Sequence, residues 1–181
     1  FDFSSEVVNK KKCSGLGAVV PVWEGTRALL VEVQALVDGG GGGYPRRVTL
    51  GLDGGRLAML LAVLHRHGGV ALHDMDVYVN VVGGLKISET AADLAVLAAV
   101  WSSLRERALP RELVLMGEVG LSGELRPVAN GEARIKAAQQ HGFKQVILPE
   151  ANRPRASAPS SSFRVSAPRR AASLGAAYRA R

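Results

Sequence analysis

Cysteine is almost absent from this sequence, and its scarcity narrows the classes of protein that the chain can represent. Cys13 is the only cysteine among 181 residues, which excludes a disulfide framework and a zinc site built from several cysteines. Long apolar runs are missing too, because no stretch reaches the roughly 18–20 residues that a membrane-spanning helix needs. We therefore expect neither a membrane partner nor a cysteine-held metal.

Acidic residues are missing from one end of the chain only. Residues 153–181 contain seven arginines and no acid, whereas residues 1–152 carry 16 basic and 16 acidic side chains. The formal net charge of +7 therefore belongs to the tail, and the rest of the chain is neutral. A basic tail can bind phosphate, and a solvated low-complexity end is the alternative interpretation.

Hydrophobic patterns predict one regular domain between two less regular ends. We expect residues 1–18, polar and lysine-rich, to be a poorly ordered remnant of a longer protein, residues 19–152 to form the domain, and residues 153–181 to form the tail. The elements alternate without strict βα repetition, which indicates an α+β or mixed α/β class. The predicted strands are 26–37, 47–52, 77–82, 113–116, 124–128 and 145–148, the predicted helices are 56–67, 91–107 and 132–141, and the tail could add a strand at 163–165 and a helix at 171–178.

The longest predicted helix, residues 91–107, has both a start signal and an apolar face. Thr90 is a good N-cap, and Asp93 completes the Thr-x-x-Asp form of a capping box. We expect this helix to pack on the sheet and to bury its apolar positions, which are Leu94, Leu97, Ala98, Trp101 and Leu104.

Motifs for nucleotides and metals are missing as well. No segment fits G-x-x-x-x-G-K-[ST], so we expect no P-loop in this chain. The glycines at 39–43 have no strand-to-helix context and predict a linker. His65 and His67 are two residues apart on a predicted helix and face different directions, so they cannot share a metal ion.

The turn at residues 83–89 is the one place where the residues themselves allow covalent chemistry. It joins a predicted buried strand to the long helix, where helix N-terminal amides can form an oxyanion hole. Ser88 and Lys86 are candidate members of a Ser–Lys dyad there. The alternative interpretation is that Ser88 helps to start the helix and Lys86 is solvated.

Four ordered blocks of the chain resemble the RadA (Sms) family of DNA-repair proteins. They cover roughly residues 22–152 and are EGTRALLVEVQALV at 24–37, PRRV with GLDGGRLAMLLAVL at 45–64, DVYVNVVGGL at 76–85, and GEVGLSGELRPV at 117–128. The resemblance is to the C-terminal domain of that family, which is similar to the proteolytic domain of Lon. It implies a Lon-like α+β fold of the ribosomal small-subunit protein domain-2 type, a mixed sheet with helices.

The resemblance also places the Lon catalytic dyad on this sequence. The position of the Lon serine falls at Ala91, and that of its lysine falls at Glu132. A methyl group cannot attack a carbonyl, and a carboxylate cannot replace the amine in a dyad that has lost its nucleophile. With the dyad replaced and no P-loop, we expect no catalytic residue and no enzyme in this chain.

The resemblance implies a role in a ring-forming recombination ATPase that acts in branch migration. The zinc finger and ATPase core of that family, which would hold Zn, Mg and ATP, are not in this sequence, so we expect no cofactor here. We expect a scaffold role, self-association into a ring in the full-length parent, and weak DNA contact through phosphates at Arg46, Arg47 and Arg56. A Lon-type peptidase with displaced residues and a stand-alone adaptor remain alternatives. The compartment would be the cytoplasm of a bacterium, or a plastid or mitochondrion of a eukaryote.

Overall fold

Nine strands and three helices make up the part of the chain that the structure, a computed structural model, describes, namely residues 17–39, 41–155 and 162–174. The strands are β1 (Gly17–Glu24), β2 (Arg27–Gly39), β3 (Arg47–Leu50), β4 (Met75–Val81), β5 (Leu113–Leu115), β6 (Glu118–Val119), β7 (Leu125–Arg126), β8 (Gln145–Ile147) and β9 (Arg164–Ser166). The helices are α1 (Gly54–Gly68), α2 (Asp93–Leu104) and α3 (Gly131–Gln140). Short 3-10 turns cover Val82–Gly84, Thr90–Ala92, Glu150–Asn152 and Ala171–Ser173.

Seven of these strands form one mixed sheet in the order β3-β4-β2-β1-β5-β8-β9. β2 pairs antiparallel with β1 and with β4, and the other four pairings are parallel. β6 and β7 form a separate antiparallel ladder. The mixed α/β class is thus confirmed, and the sheet is mostly parallel, whereas the likeness to the Lon proteolytic domain stays a prediction.

Alternation along the central strands separates two apolar cores. In β1, Ala18, Val20 and Val22 pack in the core that contains α1 and α2, while Val19 packs in the core that contains α3. This is the period-two pattern of a strand with both faces covered. The sheet is therefore covered by α1 and α2 on one side and by α3 on the other.

Helix α2 packs on the sheet, as the sequence predicts, and it is the most deeply buried of the three described helices. Leu94, Leu97 and Ala98 are buried, while Trp101 and Leu104 are partly buried against the same core. Ten of its twelve residues are buried, including the polar Asp93, Ser102 and Ser103, so protein surrounds the helix on nearly all sides. It is shorter than predicted, since it begins only after a 3-10 turn and ends at Leu104.

The predicted capping box at the start of this helix is wrong. No side chain caps α2, and the cap position is held by Ala92. The Thr90 hydroxyl donates instead to a Glu118 carboxylate oxygen, 3.0 Å away, and the Asp93 carboxylate faces Arg56. Tertiary partners have replaced the local hydrogen bonds that the sequence pattern suggests.

Strand β1 lies in the middle of the sheet, although the hydrophobic pattern did not predict it. Its segment GAVVPVWE is apolar on both faces and carries Pro21, a residue that normally argues against an inner strand. β5 pairs with β1 at Val19, before Pro21. The N–H that Pro21 lacks therefore belongs to a part of β1 that lies beyond the pairing with β5.

The turn after β3 requires glycine. Gly51 has a φ of 80°, and its carbonyl accepts the Ile87 N–H at 2.8 Å. A Cβ at this position would overlap the Leu85 carbonyl oxygen. The turn therefore fixes the path from β3 into α1.

The arginine-rich tail is partly folded onto the sheet. The predicted last strand forms as β9, parallel to β8, so the sheet continues beyond residue 152. Of the helix predicted at 171–178, the structure describes only the 3-10 turn Ala171–Ser173 and Leu174. The remaining residues of that helix, and residues 1–16 of the predicted remnant, lie outside the described residues. Within the described ranges, no helix has the length and apolarity to cross a membrane.

Candidate functional site

Ala91, the position matched to the Lon serine, is packed under a backbone crossing. It lies in the turn Thr90–Ala92 and is 3% exposed. Its carbonyl accepts the Gly117 N–H at 2.9 Å, and the Leu94 N–H donates to the Gly117 carbonyl at 3.2 Å. The methyl group thus belongs to the core, and no nucleophile is presented at this position.

A buried ion pair joins the segment before Ala91 to helix α3. Arg134 is 2% exposed, and its guanidinium donates to both carboxylate oxygens of Glu89, at 2.6 and 2.8 Å. It also donates to the carbonyls of Ala129 and Pro21, at 2.8 and 2.7 Å. The Trp23 N–H donates to Glu89 at 2.7 Å. Every charge in this pair is satisfied by hydrogen bonds, as a buried pair requires.

A second ion pair lies on the other side of Ala91. The Arg56 guanidinium of α1 donates to both carboxylate oxygens of Asp93, and its Nε lies 2.9 Å from Oδ1. Burial raises the pKa of the Asp93 carboxyl, while Arg56 and the Val119 N–H oppose that rise. The hydrogen bond to Asp93 raises the pKa of Arg56, which therefore stays charged.

Glu132, the position matched to the Lon lysine, is exposed in the first turn of α3. Ala91 is two residues after Glu89, and Glu132 is two residues before Arg134, so the ion pair brings the two degenerate positions to the same region. This arrangement supports a mechanical role, which is to hold neighbouring segments together. The two carboxylates that bracket Ala91 tie the start of α2 to α3 and to α1.

The displaced pair proposed from the sequence is not organised as a dyad. Ser88 and Lys86 are both exposed, on either side of the buried Ile87. In the part of the chain that the structure describes, neither side chain makes a hydrogen bond or an ion pair. Among those residues there is also no group of three His, Cys, Asp or Glu side chains that could hold a metal ion.

Two of the three arginines predicted to contact DNA lie together at the start of the edge strand β3. Arg47 donates to the carbonyls of Leu72, at 2.8 Å, and Met75, which ties its guanidinium to the protein. The Arg46 backbone N–H donates to Asp76 at 2.6 Å, and its exposed guanidinium has no partner among the described residues. Arg56, in contrast, is engaged by Asp93.

Sequence reasoning did not find the two ion pairs around Ala91. Glu89 and Arg134 are 45 residues apart, and Arg56 and Asp93 are 37 apart. Each is an ordinary charged residue on a predicted turn or helix, and no spacing rule connects residues on different elements. Among the four residues, only Asp93 and Arg134 lie between apolar residues in the sequence, and that placement was the available signal.

The fold and this region can now be compared with known proteins. Residues 60–152 match the family model described as subunit ChlI of Mg-chelatase. The "DNA repair protein RadA" of Pseudomonas aeruginosa is 63% identical over 137 residues, which are 76% of this chain and 30% of that protein. RadA of Escherichia coli strain K12 is 61% identical over 138 residues, with the same two coverages of 76% and 30%. RadA of Aquifex aeolicus is 47% identical over 141 residues, 77% of this chain and 32% of that protein.

The chain belongs to the family that the ChlI model describes, because the matched segment covers half of its residues. Its curated relatives are RadA proteins, and the resemblance to RadA inferred from the sequence is confirmed. The chain spans about 30% of the length of the first of these relatives.

One expectation needs correction. From the missing P-loop string and the replaced dyad, the sequence analysis predicted that this chain is not an enzyme. The match to a subunit of Mg-chelatase and the similarity to RadA associate the chain with an ATPase-type P-loop region, which contradicts that prediction. The prediction rested on a missing consensus string and on two replaced residues, and such local matches cannot decide membership of a catalytic class.

Proposed function

We propose that this chain is a Lon-like scaffold and DNA-contact domain of a RadA-type DNA-repair and recombination ATPase that acts in branch migration. The observation that carries the proposal is the 63% identity to a DNA repair protein RadA over 76% of the chain. The similarity covers 137 residues, so it concerns most of the chain and not one short motif.

The scaffold role is supported by the region around Ala91. A buried methyl stands where a Lon-type serine would attack, and two fully hydrogen-bonded ion pairs hold the surrounding segments. A bidentate guanidinium–carboxylate pair is directional, so each pair favours one relative placement of the segments that it joins. A rigid platform of this kind suits assembly into a ring in the full-length parent, with weak self-association of the isolated chain.

The DNA-contact role is assigned to the start of β3. Arg46 projects an exposed guanidinium there, and Arg47 is fastened beside it by backbone carbonyls. The Asp76 carboxylate, which accepts the Arg46 backbone N–H, adds a negative charge beside these two arginines. We therefore propose weak contact with the phosphate backbone, which falls steeply as salt increases.

The test is DNA binding by the Arg46→Ala variant, measured by fluorescence anisotropy over a series of salt concentrations. Losing one phosphate contact should weaken binding to every sequence alike and reduce the slope of log affinity against log salt by about 0.9. Arg111→Ala removes the same charge from another exposed position and is the matched control. Because β9 belongs to the sheet, tail charge is tested with Arg179→Ala plus Arg181→Ala and not by truncation at residue 152.

Equal affinity and slope for Arg46→Ala and Arg111→Ala would remove the assignment of DNA contact to β3. A loss confined to the tail variant would place the contact in the terminal arginines. Weaker binding with a lower salt slope in Arg46→Ala, and no change in Arg111→Ala, would support the proposal most directly.

A further inference from the structure

A cavity of about 320 Å³ lies between α2, the end of α1, strands β5 and β8, and the turn Ala171–Ser173. Its walls are mainly apolar and include Leu97, Leu115 and the partly buried Trp101. Small-molecule sites have volumes of roughly 300–1,000 Å³ and similar walls with a few polar groups. Neither Arg46 nor the residues of the two ion pairs around Ala91 line this cavity.

The charged groups of this cavity all have one sign. Arg105 and Arg107 are the ionisable residues that line it in the described part of the chain, and both are exposed. They follow the end of α2, and Glu106 between them has a φ of 51°. The positive charge is therefore concentrated at the solvent side of an otherwise apolar space.

The carbonyls at the end of α2 do not compete for a ligand. The Trp101 carbonyl accepts the Arg105 N–H at 3.0 Å, and the Ser102 carbonyl accepts the Arg107 N–H at 3.0 Å. A helix C-terminus with free carbonyls would favour a cation. Here the N–H groups of Arg105 and Arg107 occupy two of those carbonyls, and the exposed Arg105 lies at the opening.

We propose that this cavity binds a small amphipathic anion, a molecule with a slim apolar body and a single anionic head such as a carboxylate. The body fills the space beside Leu97, Leu115 and Trp101, and the head lies at Arg105. A guanidinium binds a carboxylate through charge-assisted hydrogen bonds that a neutral or cationic head cannot make. The proposal is independent of the DNA-contact role.

Trp101 provides the measurement. The chain has two tryptophans, so a Trp23→Phe background leaves Trp101 as the only one. Decanoate is titrated below its micelle concentration, with decanol and decylamine as probes that keep the apolar body and change the head. We expect a saturable change in fluorescence with decanoate, and binding of decylamine at least about tenfold weaker.

Variants then locate the site. Arg105→Ala should weaken decanoate binding by about five- to tenfold, as expected for loss of a charge-assisted contact at an exposed position, while Arg111→Ala should not change it. Ala172→Phe, at an exposed residue of the lining, should block entry. Unchanged thermal unfolding of each variant shows that the fold is kept.

Three results would overturn the proposal. The first is no saturable signal with decanoate, and the second is equal affinity for decanoate and decylamine, which means simple partition. The third concerns residues 175–181, which follow Leu174 at the rim of the cavity. If decanoate binds only a variant that ends at Leu174, the cavity belongs to the chain's own terminus and not to a ligand.

Discussion

Replacing Arg134 by methionine tests whether the ion pair with Glu89 holds the region around Ala91. The change keeps much of the apolar stem of the side chain and removes all four of its hydrogen bonds. Two backbone carbonyls and the Glu89 carboxylate then lose a donor. Because Arg134 is 2% exposed, water cannot fully replace it.

The expected loss follows from these contacts. Removing one partner of a buried ion pair costs about 3–5 kcal/mol, because it leaves an uncompensated charge. The Glu89 side chain is 27% exposed, and it keeps the Trp23 N–H, so the loss should fall at about 3 kcal/mol. In a chain of this length, that corresponds to a fall in melting temperature of about 6–12 °C.

The assay is thermal and urea unfolding followed by circular dichroism, with a double-mutant cycle. Adding Glu89→Leu to Arg134→Met removes the orphaned charge and should restore part of the lost stability. Arg153→Met breaks the exposed pair with Glu150 and should cause no measurable change. A loss below about 1 kcal/mol for Arg134→Met, or no recovery in the double variant, would refute the anchoring role.

Two further predictions concern single positions. Gly51→Ala and Gly42→Ala impose the same backbone strain of about 1–2 kcal/mol, since φ is 80° and 84°. Only the new Cβ at position 51 also overlaps another atom, the Leu85 carbonyl oxygen. Urea unfolding should therefore show Gly51→Ala to be less stable than Gly42→Ala by about a further 1–3 kcal/mol. Equal losses would mean that the turn after β3 relaxes freely. The pKa of Asp93 is raised above its ordinary 3.8, so the native state binds the proton more tightly than the unfolded state. Stability is therefore lost as the pH rises from 3.8 through the raised pKa of the native state. Asp93→Asn should flatten this fall in unfolding measurements from pH 3 upwards, and an unchanged pH profile would contradict the assigned cause.

Local sequence patterns predicted most helices and strands, and they failed where contacts between distant residues determine the local structure. The α1 helix was predicted correctly because its apolar residues repeat at helical spacing, and the structure adds that Asp53 caps its start. Strand β1 was missed because a continuous apolar segment with Pro21 has no clear period. The Thr90 capping box failed because Glu118 and Arg56 compete for the same polar groups.

The candidate site, too, could be predicted from the sequence only in part. The sequence alone shows the identities of Ala91 and Glu132 and the resemblance that matches them to Lon. Their surroundings were not, since Arg134 could equally be a solvated residue on an exposed helix face. The sequence likewise grouped Arg56 with Arg46, although Asp93 holds Arg56 by two hydrogen bonds.

The sequence by itself determined the strands and helices with regular hydrophobic spacing, the segregation of positive charge to the tail, and the family resemblance. Each depends on residue type or on neighbours within a few positions, which a linear pattern records. Only the tertiary structure decided which charges are buried, which arginines stay exposed, and where the cavity beside Trp101 lies. Those properties depend on elements that meet from distant parts of the chain, and the free energy of a charge is set by the atoms that replace its water.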